Sequence, residues 1–461
     1  MTLLWTSAET EAATLGTASR AFEVDGLSID TRTLKPGDLF VALKGDARDG
    51  HEFVKAALAA NAGAAMVQRL PADAPKSAAF LSVANTQRGL EDLARASRAR
   101  SRAQIVAVTG SAGKTTTKEM LRLALGALGR THASAASYNN HWGVPLSLAT
   151  MPRDCAYGVF EVGMNHFGEI RALVGLVQPH VALVTTIAPA HLEFFETCEA
   201  ITDAKSEIFE GLVAGGTALI PADSPYAERL RRRAEQSRVS RILDFGSQPM
   251  CDARLVSVED ANEGIKVSSE ILGRAVQFRM NATGVHNATN AVGALLAVSA
   301  LNGDVLNAAA ALSAFAALKG RGEQSHLVVD GKHVRLIDES YNANPASMMA
   351  ALHNLGVTTG ARRIAVLGDM LELGPEGIRL HAGLLDAVET SRADLVFLCG
   401  AQMAALWDRL PASRKGAYGA KSADIAGAVT SALRDGDVVL VKGSLGSKMA
   451  VIVDALKAHA A

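Results

Sequence analysis

Short apolar runs alternate with stretches of helical apolar spacing along most of this chain. That rhythm predicts an α/β fold with mostly parallel sheets. In residues 1 to about 100, Asp38–Leu43 reads as a strand, a helix opens from Gly50, and Glu91–Arg102 is a basic, Ala-rich helix. Its end at Ser101-Arg102 suits a joint between domains. The strands of the next region are Ile105–Val108, Tyr157–Val162, Val181–Thr186, Thr217–Ile220 and Ile242–Phe245, with helical patterns between several of them. Ala253 to Phe278 looks antiparallel, and an Ala-rich helical pair covers Asn287 to Ala317. Strands at Val334–Asp338, Arg363–Leu367, Leu395–Cys399 and Val438–Val441 then repeat a βαβ, Rossmann-like rhythm. The pattern predicts three domains, over residues 1–102, 103–318 and 319–461.

The joint between the first strand of the middle region and its helix carries the strongest chemical signal. Thr109-Gly110-Ser111-Ala112-Gly113-Lys114-Thr115-Thr116 is a Gly-rich turn after an apolar run, and Lys118–Leu128 continues it with helical spacing. Such a turn cradles phosphates: backbone N–H groups point inward and the helix N-terminus adds partial positive charge. Lys114 is expected to reach the β- and γ-phosphates of ATP, and the Thr115 hydroxyl to ligate Mg²⁺. Val108 stands where the strict pattern has its first glycine.

Composition narrows the class. The chain has 461 residues, a length that suits roughly three domains. A formal net charge of −1 gives no global field for nucleic acid or an anionic membrane. Arg229, Arg231, Arg232 and Arg233 make one basic cluster, read as a solvated helix face. The four cysteines, Cys155, Cys198, Cys251 and Cys399, have neither metal-site nor redox spacing and read as cytosolic thiols. Met1 to Thr14 lacks the pattern of a signal peptide, and no apolar run reaches membrane-spanning length. The expected location is the cytoplasm, and nothing in the sequence demands more than a monomer.

Other candidates follow from placement. Ligands of open α/β sheets sit beyond the C-terminal ends of strands, which puts Glu161 where it would face Mg²⁺. His191 follows the strand Val181–Thr186, and Lys205 lies on a helix beginning near Glu199. Both residue types are commonplace in such positions, as a loop histidine and a surface lysine. Asn287 is expected to cap the helix that follows it, and with Asn290 to offer amide groups to an adenine edge. Asp338-Glu339-Ser340-Tyr341-Asn342-Ala343-Asn344-Pro345 is unusually polar for a single loop, which suits ligand contact, although caps and turns use the same residues.

With these segments assembled, the chain resembles the Mur ligase family over essentially its whole length. The first region carries Ser28-Ile29-Asp30-Thr31-Arg32, Gly37 to Gly45 and Asp49-Gly50-His51. The middle carries the phosphate loop, Asn139-Asn140, Glu161-Val162-Gly163, His191, Lys205 and Gly284 to Asn290. The last carries Gly320-Arg321-Gly322, Asp338 to Pro345, Gly368 to Gly374 and Lys442-Gly443-Ser444, with Leu445 where some relatives have arginine.

The resemblance implies a uridine-nucleotide-binding first domain, a central ATPase-type domain and a Rossmann-like third domain. It implies ligation of D-alanyl-D-alanine to UDP-N-acetylmuramoyl-tripeptide through an acyl phosphate, with Thr115 and Glu161 on one Mg²⁺. His191 would hold a second Mg²⁺, supported by Lys205 if its amine is carbamylated. Lys114, Glu161, His191 and Lys205 would carry the chemistry. Arg321 and Asp338 would reach ATP from the third domain after closure. Ser28, Asp30, Arg32, Asn139, Asn140, Asn342 and Asn344 would contact the substrates. Two alternatives are a folylpolyglutamate synthase-type ligase and a P-loop NTPase without ligation.

Overall fold

The computed structural model describes residues 3–46, 48–72, 75–135, 137–190, 192–261 and 264–459. Three main sheets follow one another along the chain. The first has five strands in the order Thr17–Ala18, Phe80–Ser82, Ala64–Val67, Asp38–Val41, Gly26–Ser28. All are parallel except the Thr17–Ala18 edge. The last has six, in the order Glu323–Val329, Lys332–Glu339, Asp437–Lys442, Arg362–Gly368, Leu395–Cys399, Lys415–Gly419, antiparallel only at the first pair.

The middle sheet has nine strands and positions the site. Its parallel part runs Thr131–Ala133, Tyr157–Glu161, Gln104–Thr109, Val181–Val184, Thr217–Pro221, Arg241–Gly246. The chain leaves Gln104–Thr109 to build on one side, then crosses to build on the other. The order therefore reverses at Gln104–Thr109, where open α/β sheets bind ligands. Register completes the placement: Glu161 pairs with Val108 on one flank, and Val184 with Thr109 on the other. Ala253–Asp260 joins its edge still in parallel, against Phe245 and Gly246, and only Ile265–Ile271 and Arg274–Met280 continue it antiparallel, away from the site.

Alternation explains why these runs are almost wholly apolar. Val106, Val108, Val181 and Leu183 enter the core on one face; Ile105, Ala107, Ala182 and Val184 enter the core on the other. A parallel strand covered on both faces needs apolar residues at both parities.

Trp5, buried in a separate two-stranded pairing with Glu23–Val24, contacts the middle region: its Nε1 donates at 2.9 Å to Ala149 O, in the helix Gly143–Ala149. The Arg100 guanidinium covers the Trp5 ring at 3.6 Å. Burial pushes that guanidinium down to about 10.

Element boundaries differ from the sequence pattern in identifiable ways. The helix expected over Glu91–Arg102 begins at Thr86, because Asn85 caps it by accepting from Arg88 N. The helix after the phosphate loop begins at Lys114, directly on Gly113, rather than near Lys118. The Ala-rich pair is Val285–Ala300 and Val305–Ala311; the stretch toward Ala317 is a short 3₁₀ turn and then a bridge of Ala316 to Asn281. The arginine cluster lies on the helix Ala227–Gln236, where Arg229 and Arg233 pair with Asp203 and Arg231 pairs with Asp244. All four cysteines are free.

Candidate active site

The phosphate loop is shaped by two glycines and held by one threonine. Gly110 has φ +151°, and a Cβ there would lie 1.9 Å from Thr185 Oγ1. Thr185 follows the neighbouring strand and its hydroxyl donates to Ala112 O at 2.5 Å, pinning the turn from the side. Gly113 at φ +81° starts the helix Lys114–Gly126 without a side-chain cap. The backbone N–H groups of Ala112, Gly113, Lys114, Thr115 and Thr116 have no hydrogen-bond partner among the described residues. Helix starts leave such donors to be satisfied by a cap, water or a ligand. Here they form a concave anion site at the positive end of a helix of 13 residues.

Beside the loop lies an oxygen-rich corner. Thr115 Oγ1 donates to Glu161 Oε2 at 2.8 Å, and Asn139 Nδ2 donates to Glu161 Oε1 at 2.7 Å. Glu161 is 1% exposed. Its two hydrogen-bond donors are neutral, so the nearby positive charge of Lys114 does not close a contact pair with it. A carboxylate and a hydroxyl at the rim of a phosphate cradle are the hard oxygen donors that Mg²⁺ prefers, and the residues fit that ion.

Two lysines complete the electrostatics. Lys114 Nζ donates to Gly110 O at 2.8 Å, folding back over the loop. Burial lowers its affinity for a proton, Glu161 opposes that, and Arg321 reinforces it. Lys205, on the helix Cys198–Ser206, is 1% exposed, and its Nζ has no hydrogen-bond partner among the described residues. Burial, then the charge of Lys114, hold it well below the usual lysine range. It is not the surface lysine that its helical surroundings suggest. A buried amine that loses its proton more easily than an ordinary lysine is a better nucleophile toward small electrophiles such as carbon dioxide.

The last sheet brings its own residues onto this site. Arg321 Nη2 donates to Ser137 Oγ at 3.0 Å, and Ser137 Oγ lies 3.4 Å from Thr115 Oγ1. The Tyr341 ring supports the guanidinium at 4.0 Å. Asn344 Nδ2 donates to Ser111 O, inside the phosphate loop, at 3.3 Å. Gln324 and Asn354 both donate to Thr283 Oγ1, at 3.2 and 3.1 Å. Arg321 is thus already seated against the phosphate-loop corner in this arrangement.

Several expected residues take different parts from those their sequence suggested. Asp338 is 1% exposed and its carboxylate accepts from Gly320 N, Ser340 N and Ser340 Oγ, so it braces the turn carrying Arg321. Asn287 is not a cap: Gly284 precedes the helix, and Asn287 Nδ2 donates back to Thr283 O. Asn290 packs on Gly113, its Nδ2 2.8 Å from where a Cβ would stand. Asn140 accepts from Trp142 N and Gly143 N at the start of the helix Gly143–Ala149. Asn342 offers its carbonyl to Lys442 Nζ, which also pairs with Glu339. Ser28 Oγ and the Asp30 backbone bond each other, and Asp30 forms a forked ion pair with exposed Arg32, far along the chain from the loop. Arg32 holds the Asp30 carboxyl below its ordinary range. His191 lies outside the described residues.

Thr185, Ser137, Tyr341 and Thr283 were not singled out from the sequence. Thr185 carried the one usable signal, a hydroxyl just past the strand beside the phosphate loop.

Known proteins share this arrangement. Residues 23–104, 108–298 and 320–445 match, in turn, the family descriptions "Mur ligase family, catalytic domain", "Mur ligase middle domain" and "Mur ligase, glutamate ligase domain". A Rickettsia prowazekii protein named UDP-N-acetylmuramoyl-tripeptide--D-alanyl-D-alanine ligase is 31% identical, over 98% of this chain and 99% of its own length. The chain belongs to the Mur ligase family. An Escherichia coli family member of the same name is 35% identical, covering 94% of each chain. Among solved structures of the family, a MurF crystal structure from Acinetobacter baumannii superimposes with a TM-score of 0.85 at 30% identity, covering 98% of each chain. Glu193 N donates to Glu372 O, so the Gly368–Gly374 segment of this Mur ligase contacts the short helix Leu192–Phe195 beyond the cradle.

Proposed function

We propose that this chain is an ATP-dependent, ADP-forming ligase that joins D-alanyl-D-alanine to UDP-N-acetylmuramoyl-tripeptide, the step that completes the nucleotide-linked pentapeptide of peptidoglycan. One observation carries the chemistry. A phosphate cradle with free N–H donors, an oxygen pair at its rim and an arginine from the last sheet converge at a single point. The end-to-end likeness to relatives bearing that enzyme name supports the substrate assignment.

A carboxylate is a poor acyl donor because its leaving group would be oxide. One carboxylate oxygen attacks the γ-phosphorus of ATP, the bond to ADP breaks, and the acyl phosphate forms. The dipeptide amine then attacks the acyl carbon. The tetrahedral adduct collapses with loss of inorganic phosphate, and the amine proton passes to solvent or a nearby base. Positioning and charge stabilisation are what the protein adds to such a transfer.

The N–H groups of Ala112 to Thr116 hold the β- and γ-phosphates, and Lys114 follows the charge as it moves. Arg321 approaches from the opposite side. Thr115 and Glu161 would hold Mg²⁺, which would neutralise phosphate charge, and Asn139 keeps the Glu161 carboxylate turned toward the loop. Carbamylation would turn Lys205 into an anion able, with His191, to hold a second Mg²⁺. The burial of Lys205, its missing partner and its lowered proton affinity support that role. Seating of the last sheet on the cradle keeps water from the acyl phosphate.

The first sheet, residues 1–102, takes the uridine nucleotide, and 103–318 and 319–461 form the catalytic pair. Among the described residues no helix is long and apolar enough to cross a membrane. Our reading places the enzyme in the cytoplasm, as a monomer.

The test supplies the full chain with ATP, Mg²⁺, D-alanyl-D-alanine and tripeptide acceptors carrying either diaminopimelate or lysine. Phosphate release and the mass of the product are followed. Release that requires both substrates, with the pentapeptide formed, is expected. ADP formed without pentapeptide would overturn the assignment.

A further inference from the structure

Asn344 does two things with one amide. Its Oδ1 accepts from Ser347 N at 2.9 Å, capping the helix Pro345–Val357, and Asn344 N donates to Ser347 Oγ at 3.0 Å. Its Nδ2 points the other way, to the carbonyl of Ser111 in the phosphate loop, at 3.3 Å. The side chain is buried, with 6% exposure. The helix it caps belongs to the last sheet, and the loop it touches belongs to the middle one.

Ser111 is fixed from its own side as well. Its N–H donates to Thr186 O at 2.8 Å, and its hydroxyl exchanges bonds with the Ala188 backbone at 2.9 and 3.0 Å. None of these bonds holds Ser111 O, whose partner among the described residues is Asn344. A trans peptide is planar and carries its C=O and N–H on opposite sides. Holding Ser111 O on Asn344 therefore turns the Ala112 N–H, the first free donor of the cradle, toward the phosphate site. The amide that caps a helix in one domain thus sets the direction of a phosphate donor in another.

We propose that Asn344 is a positioning residue: by latching Ser111 O when the last sheet is seated, it orients the Ser111–Ala112 peptide so that the cradle grips ATP in the seated arrangement. This differs from the substrate contact that the sequence suggested for Asn344. It rests on ATP binding in this loop and is independent of which acceptor the enzyme uses.

The test separates the two halves of the amide. Asn344→Ser keeps an N-capping oxygen, asparagine and serine being equally good caps, and removes the amide donor. Asn344→Thr is a second variant of the same kind. Binding of ATP with Mg²⁺ to the full chain is measured by calorimetry, steady-state ligation gives KM for ATP and for the dipeptide, and hydrogen exchange reports on residues 110–114.

The expected result is about tenfold weaker ATP binding and a similarly raised KM for ATP, the scale of one lost hydrogen bond. The dipeptide KM and the unfolding midpoint stay unchanged, and exchange in the loop quickens. Unchanged ATP affinity overturns the proposal. So does a loss confined to the dipeptide KM, which would make Asn344 a substrate contact, or a lowered unfolding midpoint, which would make it a structural cap alone. Should wild-type chain bind ATP yet fail to ligate, the binding and exchange arms still decide the latch.

Discussion

Gly113→Ala tests the cradle most directly. Gly113 sits at φ +81°, ψ −7°. An L-residue in that left-handed region costs about 1–2 kcal/mol. The new Cβ would stand 2.8 Å from Asn290 Nδ2 and 3.2 Å from Oδ1. Asn290 is 9% exposed, so its amide must turn off its rotamer inside packed surroundings, adding about 0.5–1.5 kcal/mol. Stiffening the unfolded chain returns about 0.4–1 kcal/mol. A net of about 2 kcal/mol remains, equivalent to about thirtyfold in an equilibrium. If the empty loop keeps its shape, the whole penalty appears in stability, about 4–8 °C in the midpoint of a domain this size. If the empty loop relaxes, the penalty appears instead as weaker ATP binding. Thermal unfolding and calorimetric titration with ATP and Mg²⁺ measure both, and the two losses should sum to about 2 kcal/mol. Gly126→Ala is the control: the same helix, with nothing within 4 Å of its Cβ. A Gly113→Ala protein that matched wild type in both midpoint and affinity would refute the account of the loop.

Three further outcomes follow from the geometry. Glu161→Gln keeps the shape of the corner but removes its charge; ligation should fall by about a hundredfold or more with little change in unfolding midpoint, and a variant as active as wild type would exclude a metal role. Lys205→Met should abolish ligation, and bicarbonate should not restore it. In carbon dioxide-free buffer its stability should also be greater near neutral pH, because unfolding lets Lys205 regain a proton that burial disfavours. That penalty vanishes above the unfolded lysine pKa of about 10.4 and grows as pH falls, so the variant's stability should depend less on pH. Trp5→Phe strands Ala149 O and removes the surface under Arg100, so a loss of about 2 kcal/mol is expected in denaturant unfolding, with ATP affinity unchanged.

The central strands of the middle and last sheets were legible because burial on both faces leaves runs such as Ile105–Val108 with no polar residue, whereas the short strands Ala64–Val67, Phe80–Ser82 and Thr131–Ala133 were not singled out. The edge strands Glu323–Val329 and Lys415–Gly419 were not, since an edge carries polar residues like a loop's. The phosphate loop was legible because its glycines are demanded locally by φ. That Asp338 braces a turn and that Asn287 does not cap its helix were not legible, because a carboxylate or amide near a ligand site looks the same whether it faces the ligand or braces the backbone. Ser137 and Tyr341 gained significance from Arg321, which lies about 184 residues from Ser137 in sequence and carries no local mark of the contact. Lys205 was hidden in a helix with polar neighbours, and its burial arises from packing that no i, i+4 pattern records.

The order of strands in the middle sheet has a consequence for how the protein is made. The loop-bearing strand Gln104–Thr109 gains one neighbour only after residue 161 and the other, with the Thr185 pin, only after residue 185. A chain emerging from the ribosome at roughly 5–20 residues per second therefore spends several seconds with the glycine turn translated but ungripped. Nucleotide cannot assist the earliest folding of this enzyme; it arrives as a stabiliser only once both flanks have closed, and Arg321 and Asn344 join later still.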